Sequence, residues 1–111
     1  MIGEFSEGMA AAVIIVDEKE ETCYVDKDFK VILKIESSDF PYPFTEGLAA
    51  VKRGDKWGYI DRDGNYVIEP RFDKVHSFRD GLALVQEGEK EFYIDARGNF
   101  RFNFLVPKDE N

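Results

Sequence analysis

The chain has one cysteine, one histidine and one tryptophan in 111 residues, and 15 basic side chains against 23 acidic ones. Each scarcity excludes something. A lone cysteine, Cys23, makes no internal disulfide, so nothing calls for an oxidising compartment. It lies between Thr22 and Tyr24 in a strand-like run, the setting of a buried, inert thiol. With a net charge of -8 and a pI near 4.6, the chain has no basic face for phosphates, and nucleic acid is excluded as a partner. The apolar run from Met9 to Val16 is too short to span a bilayer. It follows acidic Glu4 and Glu7, the wrong flank for a signal peptide. The expectation is a cytoplasmic protein with no membrane partner.

Catalytic signatures are also missing. There is no Gly-x-Ser-x-Gly elbow, phosphate-cradling loop or Cys/His metal spacing. His76, in a connecting segment, has no evident partner among the serines. "DRDGN", Asp61 to Asn65, has the look of a calcium loop, but its glycine stands fourth and Phe72 occupies the twelfth position, where a glutamate is needed. The sequence predicts no enzyme, no cofactor and no metal. Acidic pairs of the kind glycosidases use are too common in this composition to single any out.

What the chain does have is aromatic residues: ten phenylalanines and five tyrosines, within a 43% hydrophobic composition. That is too apolar for a disordered acidic tail and favours one folded β-domain.

The chain also repeats itself. "FSEGMAAAV" at Phe5, "FTEGLAAVK" at Phe44 and "FRDGLALVQ" at Phe78 share phenylalanine, a polar residue, an acid, glycine and a small-apolar run. Tyr24-Val25-Asp26, Tyr59-Ile60-Asp61 and Tyr93-Ile94-Asp95 recur downstream. The first unit is four residues longer than the others between these points, an insertion placed at "DEKEE". A period in the mid-thirties marks a repeat architecture. Three short strands are expected per unit, at about Leu48 to Lys52, Trp57 to Asp61 and Tyr66 to Glu69 in the central one. Gly64 is expected at positive φ in a two-residue type I′ hairpin turn, and Pro70 is expected to end the third strand. The fold class is all-β: an antiparallel meander of about nine strands, its sheet open or partly closed, in one domain with units at about 5–43, 44–77 and 78–106 and a polar tail at 107–111. Decayed outer units around a good central one fit a complete three-unit protein, with Pro107 and the tail charges ending pairing at the last edge.

The central unit, "GLAAVKRGDKWGYIDRDGNYVIEPRFDKVHSFRDGLALV", resembles the WG-repeat (KWG-repeat) family of bacterial β-rich proteins. Gly47, Lys56, Trp57, Gly58, Tyr59, Ile60, Asp61, Gly64, Val67, Ile68, Pro70, Phe72, Asp73, Phe78 and Gly81 fit its pattern. The outer units depart from it: Trp57-Gly58 becomes Thr22-Cys23 in the first and Glu91-Phe92 in the third, and Phe29 replaces the turn glycine in the first. The resemblance implies β-rich repeats with interaction roles and no shared catalytic residue.

Structural roles are expected for Gly47, Trp57, Gly58, Tyr59, Asp61, Gly64, Pro70 and Gly81. Gly58 suits a bulge or a close backbone approach, and Asp61 an Asx-type turn repeated by Asp26 and Asp95. Binding is then expected at the first-hairpin tips. Asp17, Glu18, Glu20 and Glu21 in the first unit, and Glu87, Glu89 and Glu91 in the third, flank a basic tip at Lys52 to Lys56. They are the candidate contacts for a basic protein partner, as in an inhibitor or immunity-type protein. Self-association through an edge strand and a carbohydrate-directed role are the alternatives.

Overall fold

The computed structural model describes residues 1–102; Pro107 and the charged tail lie outside them. Ten strands form: β1 (Ala10–Val16), β2 (Lys19–Val25), β3 (Val31–Ile35), β4 (Ala49–Arg53), β5 (Lys56–Ile60), β6 (Tyr66–Phe72), β7 (Lys74–Val75), β8 (Leu82–Glu87), β9 (Lys90–Asp95) and β10 (Phe100–Phe102). They make three antiparallel sheets, β1-β2-β3, β4-β5-β6 and β10-β9-β8-β7. None of the sheets closes, and no helix occurs among the described residues. The expected all-β repeat meander is what the chain adopts.

The tenth strand, β7, lies in the link after β6 and pairs with β8. The other sheets have a counterpart. Gly3 N–H donates to the Ala11 carbonyl at 2.7 Å, and Tyr42 N–H to the Ala50 carbonyl at 3.0 Å. Each sheet therefore gains an outer segment from the residues that precede its repeat phenylalanine.

The sheets join through two apolar clusters. Met9, Ala11 and Tyr24 of the first meet Phe44, Ala49, Val51 and Ile60 of the second. Leu48, Ala50, Tyr59 and Ile68 of the second meet Phe78, Ala83, Val85 and Ile94 of the third. Successive side chains on a strand point to opposite faces, so Ala49 and Val51 serve one junction while Leu48 and Ala50 serve the other. A sheet buried on both faces explains why its first strand reads as an unbroken small-apolar run.

Three local expectations are corrected. The four extra residues of the first unit do not enlarge its loop. Val16 pairs with Lys19 across the two-residue turn Asp17-Glu18, and β1 and β2 each have seven residues where β4 and β5 have five. The insertion lengthens the hairpin, which moves Glu20 and Glu21 from the tip onto β2. Second, β6 runs through Pro70 to Phe72, because a bulge takes Pro70 out of the ladder. Third, Gly64 has φ 87°, but Asp63 is not at positive φ, as a type I′ turn would require. The Asp61 Oδ1 accepts the Asp63 and Asn65 N–H groups at 2.9 and 3.0 Å, and Gly64 N–H closes on the Asp61 carbonyl at 3.0 Å. The result is a three-residue loop ending in a left-handed glycine. Asp26 and Asp95 hold the same two N–H positions in their units. Two consecutive positive φ values occur instead at the acid-glycine pairs Glu7-Gly8, Glu46-Gly47 and Asp80-Gly81, and at the Asp17-Glu18 turn.

Gly64→Val should cost about 3 kcal/mol or more and Gly64→Asn about 2 kcal/mol, because any Cβ there comes within 2.8 Å of the Leu33 side chain, while asparagine alone of the two tolerates the left-handed region. Urea melts of the two variants check this; equal losses would contradict the turn assignment.

Candidate functional site

The motif residues are joints between sheets. Tyr24 donates its hydroxyl to the Tyr42 carbonyl at 2.7 Å and packs edge-to-face on Phe44, ring centroids 4.7 Å apart. Tyr59 repeats this one unit on, with the His76 carbonyl at 2.7 Å and Phe78 at 4.9 Å. Burial pushes both hydroxyl pKa values well above the ordinary phenol range, so both stay neutral donors. The acid before each of the first two repeated glycines ties the next turn. The Glu7 carboxylate accepts Gly47 N–H at 3.1 Å and pairs with Arg62 at 3.2 Å. The Glu46 carboxylate accepts Asp80 N–H at 2.6 Å and Gly81 N–H at 2.8 Å. These joints were not assigned from sequence, though the recurring acid-glycine pair was their signal.

Trp57 and Gly58 have separate tasks. Trp57 is only 9% exposed. Its ring meets Tyr42 edge-on at 5.1 Å, and the Lys52 ammonium lies 5.9 Å from its centre. Gly58 faces the bulge in β6. Trp57 pairs with Phe72 and Tyr59 with Ile68, so Glu69, Pro70 and Arg71 all stand opposite Gly58. A Cβ on Gly58 would lie 2.6 Å from the Ile68 carbonyl oxygen and 2.7 Å from the Pro70 nitrogen. The tryptophan-glycine and proline motifs are thus two halves of one feature. In the first unit, which has neither, Cys23 takes the glycine's place opposite Lys34 in regular register. That thiol is fully buried, and burial raises its pKa. Lys56 pairs with Asp73, whose other carboxylate oxygen accepts Gly88 N–H at 2.7 Å. The Lys56 hydrogen bond, helped by that of Gly88, holds the Asp73 carboxyl below its ordinary pKa.

The acidic candidates divide between two sheets. Asp17 and Glu18 form the exposed β1–β2 turn, both at positive φ. Glu20 and Glu21 stand on β2 and line a surface cavity of about 430 Å³ with Glu36 and Lys34. A neighbouring cavity of about 320 Å³ shares Glu20 and adds Asp39. Glu36 and Asp39 escaped the sequence reading because they follow β3, outside any hairpin tip. Glu21 pairs with Lys34 at 3.6 Å. On the third sheet, Glu87 pairs with Arg71 at 3.4 Å, while Glu89 and Glu91 are exposed. The basic tip between them is engaged within the chain: Lys52 lies over Trp57, Arg53 lies over Tyr66 at 5.8 Å, and Lys56 holds Asp73. His76 is exposed, and its carbonyl is used by Tyr59. Among the described residues no group of three or more His, Cys, Asp or Glu is placed to hold a metal ion, and no helix is long and apolar enough to cross a membrane.

Comparison with curated proteins and with solved structures gave no match. The family model described as WG containing repeat matches twice, at residues 24–57 and 57–90. The matched stretch runs from Tyr24, the joint to the second sheet, through Trp57 and the bulge to the third sheet. It covers more than half of the 111 residues, and the chain belongs to the WG repeat family.

Proposed function

We propose that the protein is a non-enzymatic interaction module whose first sheet binds a basic protein partner. The acidic groove carries this reading: Glu20, Glu21, Glu36 and Asp39 line two adjoining cavities next to the Asp17-Glu18 turn, against two cationic groups, Lys34 and the Met1 ammonium, in the same linings. Lysine or arginine side chains of a partner fit such a groove, and the chain's net charge of -8 steers them toward it. Of the basic central tip, Lys56 is already paired with Asp73, so it opposes this approach less than an unpaired base would. An inhibitor or immunity-type role, in which the module covers a basic surface of a toxin or enzyme, is the sharpest form of the proposal.

The test is association kinetics with the basic protein recovered by pull-down. Replacing Asp17, Glu18, Glu20, Glu21, Glu36 and Asp39 by their amides should slow association at least tenfold. Melting should change little, or rise as self-repulsion falls. Amides at Glu87, Glu89 and Glu91 should slow it less. Raising salt should erase the difference, since the Debye length falls from about 10 Å at 0.1 M to about 3 Å at 1 M. Equal association rates for the first-sheet variant and the wild type would sink the reading.

A further inference from the structure

We propose that a tyrosine side chain of the basic partner enters a cavity of about 360 Å³ beside the first junction, in the place that this chain's own Tyr42 fills beside the second. Gly3, Ala11, Phe40, Pro41 and Pro43 line that cavity.

The repeat supplies the template. Gly3 N–H donates to the carbonyl of Ala11, which stands opposite Tyr24. Tyr42 N–H donates to the carbonyl of Ala50, which stands opposite Tyr59. Gly3 and Tyr42 are therefore equivalent. Tyr42 packs against the cluster between the second and third sheets, edge-on to Trp57, and donates its hydroxyl to the Val75 carbonyl at 3.1 Å. The first junction lacks both rings: Gly3 stands for Tyr42, and Thr22 for Trp57. Phe40, the counterpart of exposed Lys74, takes up part of the space, since a Cβ on Gly3 would lie 3.1 Å from its ring. The remainder is the cavity.

Proline keeps it open. Lys74 and Val75 pair with β8 in regular register. In the link between the first two sheets Pro41 and Pro43 flank Tyr42, and neither has an N–H, so only Tyr42 of the three can donate to β4.

The lining selects the occupant. Ala11, Phe40 and the two prolines suit an aromatic ring, which can pack on that of Phe40. Pro41 holds the place of Val75. It is buried, and its carbonyl accepts no hydrogen bond among the described residues. A buried carbonyl calls for a donor. A phenol supplies one at the tip of an apolar ring, as Tyr42 does for Val75; a phenyl ring does not. Charge names the donor of that phenol. Glu4 is the one charged residue in the lining. Phe40 also lines the neighbouring cavity of about 320 Å³ with Glu20 and Asp39, so lysines or arginines next to the tyrosine meet acids there. The protein source rests on the acidic-groove reading; the preference for a phenol rests on the cavity alone.

The test is an NMR titration of the full chain, labelled with ¹⁵N, with acetyl-Lys-Tyr-Lys-amide and its phenylalanine and serine analogues. The tyrosine peptide should bind about tenfold or more tighter than the serine one, with phenylalanine between them, and should shift Gly3, Ala11 and Phe40. Gly3→Tyr places the chain's own ring in the cavity. It should remove the difference between the tyrosine and serine peptides while melting no earlier than the wild type. Should Phe40 fail to give way and that variant melt early, the three peptides on the wild type still decide. The proposal is overturned if the tyrosine and serine peptides bind alike, if neither binds at millimolar concentration, or if the tyrosine preference survives in folded Gly3→Tyr. Amides at Glu20, Glu21, Glu36 and Asp39 should weaken all three peptides equally. An intact tyrosine preference with no such weakening would sink the groove reading and uphold the cavity as a phenol site.

Discussion

Gly58→Val should leave no cooperatively folded protein, and Gly58→Ala should lose about 3 kcal/mol. The methyl group of alanine would meet the Ile68 carbonyl oxygen, the Pro70 nitrogen and the Glu69 carbonyl carbon, all within 3.0 Å. These are backbone atoms held by the β5–β6 ladder, so no rotamer change relieves the clash. Overpacking costs about 1–3 kcal/mol where side chains can give way, and the upper end applies where they cannot. A domain of this size has only about 5–15 kcal/mol in total. Thermal and urea unfolding followed by circular dichroism measure the loss. An alanine variant that melts with the wild type would show that β5 and β6 do not approach this closely.

Trp57→Ala should cost about 3–5 kcal/mol, the range for truncating a buried aromatic. Its ring belongs to the cluster that joins the second and third sheets and rests on Tyr42 from the link between the first two. The damage should therefore extend beyond β5. Proteolysis should then find the 36–43 link more accessible in the variant as well as the central sheet. A soluble variant with an unchanged melting curve would contradict the burial and return the ring to the list of binding surfaces.

The sequence revealed the parts of this architecture that repeat. Phenylalanine, acid-glycine and tyrosine-aliphatic-aspartate recur because every junction needs the same capping ring, the same left-handed turn and the same hydroxyl. Asp61 is legible for that reason: three copies of one turn need the same carboxylate. What recurs in geometry while varying in residues was harder to read. The outer segment of each sheet is Met1-Ile2-Gly3 in one unit and Lys74-Val75 in another, with no shared motif, so β7 could not be assigned. The candidate groove was only half legible. Glu20 and Glu21 were found by their charge, whereas Glu36 and Asp39 reach the site through the fold of the link. The extra residues at "DEKEE" looked like loop because charged residues often are; cross-strand pairing instead absorbed them as two further rungs on each strand.

Tryptophan fluorescence tests the central claim, that the tryptophan-glycine pair builds the repeat and is not its binding face. Trp57 is the only tryptophan in the chain, so the signal has one source. Acrylamide quenching of the native protein should be weak, and its emission should lie well to the blue of the urea-unfolded chain. Both should stay unchanged when the proposed basic partner binds. Emission at the unfolded position with rapid quenching, or strong protection gained only on binding, would contradict the account.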